Sequence, residues 1–414
     1  MRERPVNTPT PTSAGDEPAS VLADAQRILP DLIAVRRTIH RAPELGKRLP
    51  RTQQTVLNAL KGLDLTVTCG KGLSSVVAVL DSGRPGRTIL LRADMDALPQ
   101  QEDSGVDFAS QIPGAMHACG HDTHTAMLIG AARLLAGRRA ELVGRVVFMF
   151  QPAEEAGGGA QDMIDEGVLT LPGGASVDAA FALHITTRHE TGTVHLRPGP
   201  LFAAADLMHL TVHGRSGHAS APHHALDPIP VACEIVQALQ TMVTRTVSVF
   251  DPAVLTVARI AAGTTTNIIP DTAEISGTFR TLSPQTRTAV GEGIERVAKG
   301  VASAHGATVE TNLIESYPPV VNDADFTAFV TDAAGTVIDP AHVHQMPEPV
   351  MGAEDFSYVL QHVPGAMAFL GARPPGVAPE QTPDNHSSHV VYDEEAMAIG
   401  TAVHTAVALE FLAR

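Results

Sequence analysis

The chain has 414 residues, of which 44% are apolar and 18% are charged, and its formal net charge is −16. A chain of this length favours two globular domains, and an acidic balance without any basic run excludes nucleic acid as an expected partner. No stretch is long and apolar enough to cross a membrane, and three scattered cysteines do not form the disulfide framework of a secreted domain, so we expect a cytoplasmic protein.

The first two hundred residues are predicted to alternate between helices and strands. Residues 1–20 are rich in proline, threonine and charge and lack the apolar core of a signal peptide, so we expect a disordered N-terminus there. Apolar residues then recur at three- and four-residue steps from Val21 to about Gly62, which predicts two helices. Short apolar runs follow as candidate strands, SSVVAVL, TILLRADMDA and RVVFMF, with one helical pattern, TAMLIGAARLLAG. This alternation predicts a mostly parallel α/β sheet.

A different pattern begins near Asp206. Strand-like and helix-like segments follow one another up to residue 316 in the order strand, helix, strand, strand, helix, strand. This order is that of a ferredoxin-like α+β unit of about a hundred residues. We therefore predict an inserted domain over 206–316, and a first domain that residues 21–205 and 317–414 complete from both sides.

The segment MHACGHDTHT, residues 116–125, concentrates groups that can carry chemistry. Thiolate, imidazole and carboxylate are the ligands of zinc and similar ions. A catalytic cysteine beside a histidine is an alternative explanation. A buried cysteine among solvated histidines is the third and simplest one.

Three further segments add candidate ligands. Glu154 and Glu155 follow the strand RVVFMF, and adjacent carboxylates repel unless cations neutralise them or one holds a proton. Two metals would leave one glutamate to bind metal and the other to carry protons, although a solvated acidic pair is the ordinary interpretation of such residues. His184 is predicted to end an apolar strand, and His386 and His389 lie in the segment NHSSH. Five candidate ligands result: Cys119, His121, Glu155, His184 and His386.

These motifs resemble a known family, the amidohydrolase branch of the dinuclear metallopeptidases, which includes hippurate hydrolase and the auxin-conjugate hydrolases. The resemblance extends from about Arg36 to the C-terminus and rests on HACGHDTHT, QPAEEAGGGA, HGRSGHASAPH, NIIP and GAEDFS. It implies an α/β catalytic domain that holds two divalent ions, Mn or Zn first and Co or Ni next, and an inserted lid domain that forms a homodimer. The implied reaction is hydrolysis of the amide bond of N-acyl amino acids.

The resemblance also implies a role for each matching residue. Cys119 would bridge two metals that His121, Glu155, His184 and His386 complete, with His389 as the alternative last ligand. Glu154 would be the general base and His218 the donor to the oxyanion. Asn267, Arg280 and His223 would contact the substrate, and Arg280 would supply the cation that a carboxylate needs in an acidic protein. Asp94 and Asp122 would support the ligands from behind. The motif HRAPELG departs from the family by carrying Ala42 in place of a histidine, from which we expect altered specificity or stability.

Other functions remain open at this point. A cysteine hydrolase that uses Cys119 and His121 would leave Glu155, His184 and His386 without a role. A catalytically silent ligand-binding protein on the same fold would be expected to have lost Glu154 or a ligand. Within the enzyme class, a dipeptidase or carboxypeptidase is the alternative, since the motifs do not define the acyl pocket.

Overall fold

The computed structural model of the chain describes residues 20–155, 157–171 and 173–414. The predicted disorder of residues 1–20 therefore lies, apart from Ser20, outside the described residues. None of the helices in this part combines the length and the hydropathy that a membrane span requires. The helices are α1 (Val21–His40), α2 (Pro50–Leu60), α3 (His121–Gly137), α4 (Gly159–Asp165), α5 (Pro228–Thr246), α6 (Pro284–Ala304), α7 (Ala324–Gly335), α8 (Phe356–Leu360) and α9 (Ala396–Leu412).

The strands form one large sheet, one four-stranded sheet and two short ribbons. They are β1 (Thr66–Cys69), β2 (Val76–Asp81), β3 (Thr88–Asp94), β4 (Arg145–Gln151), β5 (Ala179–Glu190), β6 (Val194–Leu196), β7 (Gly199–Phe202), β8 (Asp206–His213), β9 (Gly217–His218), β10 (Ala253–Ala262), β11 (Ile268–Ile269), β12 (Thr272–Thr281), β13 (Thr308–Glu315), β14 (Val320–Asn322), β15 (Val343–Gln345) and β16 (Gly365–Arg373).

The large sheet confirms the predicted α/β architecture. Its order is β1-β2-β4-β3-β5-β16-β6-β15, and the four central strands β4, β3, β5 and β16 run parallel. Antiparallel pairs occur towards the edges, between β1 and β2, β2 and β4, and β16 and β6. Every residue of β3 is buried, as expected for a strand covered by helices on both faces. Helices α1, α3 and α9 pack together on one face.

The second sheet has the predicted ferredoxin-like order. Strands β10, β12, β8 and β13 lie side by side, all antiparallel, and α5 and α6 pack against them around a separate apolar core. We call residues 206–315 the four-stranded unit. Two connectors, residues 203–205 and 316–319, join it to the rest of the chain. The exact limits of the two predicted domains stay a prediction.

Two local predictions were wrong. The helix expected to start near Thr125 begins at His121, because Gly120 adopts a left-handed conformation (φ 84°) that turns the chain into the helix four residues earlier. His184 does not end its strand, since β5 continues to Glu190 alongside β16. The first difference follows from the backbone conformation of one glycine and the second from pairing with a strand far away in the sequence, and the apolar pattern contains neither.

Candidate metal centre and active site

Four of the five predicted ligands line a cavity of about 1250 Å³ beside the carboxyl ends of the central strands, and the fifth, His121, lies next to Cys119 and His184. This is where an open α/β sheet places its chemistry. Cys119, Glu154, Glu155, His184 and His386 all line the cavity. Strands and loops far apart in the sequence therefore bring these five side chains to one place.

Cys119 lies at the centre of this cluster. Its Sγ is 3.4 Å from His184 Nε2 and 3.2 Å from His386 Nε2. Glu155 Oε1 lies 3.2 Å from His386 Nε2 and 3.8 Å from His121 Nε2. The ligand atoms form two groups that share Cys119, one with His121 and His184 and the other with Glu155 and His386. Two groups joined by one sulfur are the arrangement that a pair of bridged metal ions requires.

The two histidines of the first group are held so that one nitrogen faces the cluster. His121 Nδ1 donates to the Asp96 carbonyl at 2.8 Å, and His184 Nδ1 donates to the Ile185 carbonyl at 2.8 Å. These bonds fix the tautomer and leave the Nε2 lone pair free, as in metal-binding histidines generally. His121 Nε2 is buried and has no hydrogen-bond partner among the described residues. A buried polar atom without a partner is costly, so the residues present fit a divalent cation.

The two alternatives for the last ligand, His386 and His389, lie in different surroundings. His386 has a positive φ of 69°, and its backbone N–H donates to the Ala118 carbonyl, which holds its ring beside Cys119. Both side chains are exposed, but His389 Nδ1 lies 2.6 Å from the Asp103 carbonyl instead of beside Cys119. A non-glycine residue held in this conformation is typical of functional sites. Its position supports His386 as the ligand.

A tight turn presents the two glutamates. Ala153 has a positive φ of 63°, so the chain reverses direction just before Glu154. The Asp96 carboxylate accepts from the Glu154 N–H at 2.9 Å and from the Glu155 N–H at 3.1 Å. Asp96 therefore orients both the candidate base and a candidate ligand.

A buried ion network lies next to Glu154. Arg92 donates to Asp94 at 2.6 Å, to Glu354 at 2.8 Å and to Asp355 at 3.0 Å. Burial, followed by the negative charge of Glu354, raises the pKa of Glu154 well above its usual value. A raised pKa brings a carboxylate closer to the range in which it can accept and return a proton.

The two aspartates predicted to support the ligands occupy different positions. Asp94 accepts from His124 Nδ1 at 2.6 Å and lies beside the first ligand group. Asp122 instead contacts Arg36 at 3.0 Å and His40 at 2.8 Å. It therefore secures the start of α3 against α1 without touching a candidate ligand itself.

The four residues predicted on the four-stranded unit divide into two groups. Arg280 lines the cavity, and no acidic partner within the described part of the chain pairs with it. His218, Asn267 and His223 are exposed and are not among the residues that line it. His218 lies on β9, which pairs with β11 immediately after Asn267. One chain alone therefore does not bring these three residues to the cluster.

The ring of His218 is nevertheless fixed in one orientation. The Ser220 N–H donates to His218 Nδ1 at 3.1 Å, and the Ser220 hydroxyl lies 2.8 Å from the same atom. A backbone N–H can only donate, so Nδ1 is an acceptor and the neutral ring carries its proton on Nε2. His218 thus presents an Nε2–H donor on the surface of the four-stranded unit.

Several residues of the site were not predicted. Asp96 lies in the candidate strand segment TILLRADMDA, and His124 and Glu354 belong to HACGHDTHT and GAEDFS, which carry the resemblance, but none of the three was given a role. The two-residue spacing of Asp94 and Asp96 was a usable signal, since it places both carboxylates at one end of a strand. No local pattern pointed to Tyr317, whose hydroxyl donates to the Glu154 carbonyl at 2.5 Å.

Comparison with known proteins identifies the family. The model of peptidase family M20/M25/M40 matches residues 90–410. The chain belongs to this family. N-acetyl-L-cysteine deacetylase of Bacillus subtilis is 40% identical over 346 residues, which are 82% of this chain and 80% of that protein. Thermostable carboxypeptidase 2 of Saccharolobus solfataricus is 39% identical over 392 residues, 94% of this chain and 97% of that protein.

A solved structure extends the similarity to the fold. A dinuclear metal binding peptidase of the M20 family from Bacillus subtilis superposes with a TM-score of 0.82 and 34% identity, covering 94% of this chain and 99% of that one. This M20 family member is therefore a metal-dependent hydrolase. The family and the shared-sulfur ligand cluster agree with a dinuclear metal centre.

Proposed function

We propose that this hydrolase cleaves the amide bond of N-acyl amino acids, such as N-acetyl or N-benzoyl derivatives, to give a carboxylic acid and a free amino acid. One observation carries the proposal. The guanidinium of Arg280, which has no acidic partner in the described part of the chain, lines the same cavity as Glu154 and the ligand cluster. A substrate with a carboxylate near its scissile amide would match both features.

The proposed metals are two divalent ions, manganese or zinc first and cobalt or nickel next, held by Cys119, His121, Glu155, His184 and His386. Such ions lower the pKa of water and polarise a carbonyl oxygen. Mixed thiolate, imidazole and carboxylate ligands suit several of them.

The remaining steps belong to side chains of the protein. Glu154 takes the proton of the attacking water and then returns it to the departing amine. Arg280 holds the substrate carboxylate with two parallel hydrogen bonds. His218 donates its Nε2–H to the oxyanion as charge develops on it, with Asn267 and His223 as further substrate contacts.

His218 is exposed and does not line the cavity, so its proposed role as a donor calls for a second copy of the chain. We propose a homodimer through the four-stranded unit, in which the His218 surface of one protomer covers the cavity of its partner. Such a partner completes a site that one chain leaves open. We also propose a cytoplasmic location, since a free buried thiol is kept reduced there.

The experiment is an assay of purified protein against N-acetyl and N-benzoyl amino acids, before and after chelation and metal replacement. Glu154→Gln should lower kcat by roughly 10²–10⁴-fold, the usual contribution of general acid–base catalysis. Glu315→Gln is the matched control, because this carboxylate lines the same cavity without contacting the cluster. Hydrolysis that survives chelation would instead favour Cys119 as a nucleophile. Absence of hydrolysis on every substrate would favour a binding protein.

A carboxypeptidase or dipeptidase is the second candidate. Thermostable carboxypeptidase 2 is among the similar proteins, and a peptide C-terminus also offers a carboxylate to Arg280. Dipeptides and C-terminally blocked peptides assayed beside the N-acyl amino acids separate the two. A higher kcat/KM on dipeptides than on N-acyl amino acids would overturn the first proposal and support the second.

A further inference from the structure

A tyrosine in one of the two connectors touches the turn that carries Glu154. Tyr317 lies between β13 and β14, and its hydroxyl donates to the Glu154 carbonyl at 2.5 Å. The hydroxyl oxygen of Tyr317 also accepts from the Gly158 N–H at 3.3 Å. Tyr317 lines the cavity but is absent from both ligand groups.

The peptide of Glu154 is therefore held on both sides. Asp96 accepts from its N–H at 2.9 Å, while Tyr317 donates to its carbonyl. The residue before it, Ala153, has a φ of 63°. This conformation is unfavourable for a residue with a Cβ and persists only where the surroundings impose it. Without these contacts the turn would relax and the Glu154 carboxylate would move.

The other connector, residues 203–205, links Tyr317 to the strand that carries Arg280. The Ala205 N–H donates to the Tyr317 carbonyl at 3.0 Å, and the Ala204 N–H donates to the Thr281 carbonyl at 2.7 Å. Tyr317 therefore lies where the chain segments bearing Arg280 and Glu154 meet. Its hydroxyl contacts the Glu154 turn, and its backbone carbonyl contacts the connector that leads to the Arg280 strand.

We propose that Tyr317 is a positioning residue for Glu154, which holds the strained turn so that the carboxylate points at the substrate. The inference rests on the proposed role of Glu154 as general base. It concerns a residue that contacts the backbone of the base and takes no part in proton transfer itself.

The test compares Tyr317→Phe with Tyr358→Phe. Tyr358 is a matched control, because it packs edge-on against Tyr317, lines the same cavity and donates to the Ser316 carbonyl instead of Glu154. Tyr317→Phe should lower kcat by about ten-fold or more with KM changed by less than about two-fold, since an effect on the transition state alone appears in kcat. Tyr358→Phe should stay within about two-fold in both constants.

A second pair of variants separates positioning from a general structural effect. Glycine adopts positive φ without steric cost, so Ala153→Gly relieves the strain that Tyr317 opposes. The penalty of Tyr317→Phe should therefore fall to about three-fold or less in the Ala153→Gly background, a non-additivity that reports direct coupling. An undiminished penalty overturns the inference.

The two proposals fail in different ways. Equal kcat values for Tyr317→Phe and Tyr358→Phe, with Glu154→Gln inactive, would overturn the role of Tyr317 and leave the proposed function intact. An active Glu154→Gln would overturn the general-base assignment and the positioning role with it. Thermal midpoints and metal content of all variants, measured in parallel, show whether a loss of kcat reflects unfolding or loss of metal.

Discussion

His40 lies between two buried carboxylates, at 2.8 Å from Asp122 and 3.1 Å from Glu102. Arg36 and the His117 ring, whose centroid is 6.1 Å away, also face it. Burial works against the charged imidazolium, but the two carboxylates outweigh it and raise the pKa of His40 to about 9. The protonated ring therefore stabilises the junction between α1 and α3.

This raised pKa predicts how stability depends on pH. The ordinary His pKa is 6.5, so the contribution is complete below that pH and disappears as pH rises through about 9. A shift of this size corresponds to about 3 kcal/mol at most. Thermal midpoints of the wild type and His40→Gln, measured from pH 6 to 10, should differ most at the acidic end and converge at the alkaline end. A constant difference would mean that His40 acts through packing and not through its charge.

The tautomer of His218 gives a second prediction at this scale. The proton on Nε2 is the group that would meet the oxyanion, so a side chain with a donor at the Nε2 position should retain some activity. His218→Gln places its amide nitrogen near that position, whereas His218→Asn places it near Nδ1. We expect both variants to be slower, with His218→Gln the faster of the two by about ten-fold, a difference of 1.4 kcal/mol. Equal kcat values for the two variants would contradict the assignment of His218 Nε2 as the donor atom.

Among the elements, the central strands and long helices were predictable, because their apolar runs and periods are long enough to recognise. The ribbon and edge strands β6, β7, β9, β11, β14 and β15 have only two to four residues and were not predicted. Such short segments depend on pairing with distant partners, as His218 on β9 does with Ile268 on β11. An alternating apolar and polar pattern can be recognised only over about four to eight residues, which is more than most of these strands contain.

Helix α3 carries His121 and depends on close packing at its middle. A Cβ on Gly130 would lie 2.7 Å from Leu32 of α1 and 2.8 Å from Thr401 of α9. Gly137 ends the same helix and has open space around it. Gly130→Ala should therefore destabilise the protein by about 1–3 kcal/mol through overpacking, and Gly137→Ala should stabilise it by up to about 1 kcal/mol. Chemical denaturation checks the pair, and two effects of the same sign would contradict the packing of the three helices.

At the scale of the whole molecule, the motifs predicted which residues form the ligand cluster but not how they are held. Cys119, Glu154 and His386 belong to short signatures, whereas Tyr317 is 163 residues from the carbonyl it contacts. A contact between residues so far apart in the sequence depends on how the four-stranded unit joins the large sheet. The same join places Arg280 in the cavity and leaves His218 outside it. The proposed division of the site between two chains therefore rests on how the four-stranded unit joins the large sheet.

This division predicts complementation between two inactive variants. In a homodimer whose sites combine Glu154 of one chain with the other chain's His218, Glu154→Gln and His218→Ala chains together form one intact site per mixed dimer. Random pairing makes half of the dimers mixed, so a 1:1 mixture refolded or co-expressed should recover about a quarter of the wild-type activity. Glu154→Gln mixed with Cys119→Ala is the control and should recover none, since both residues line one cavity of a single chain. Equal activity of the two mixtures would show that His218 does not act across the dimer.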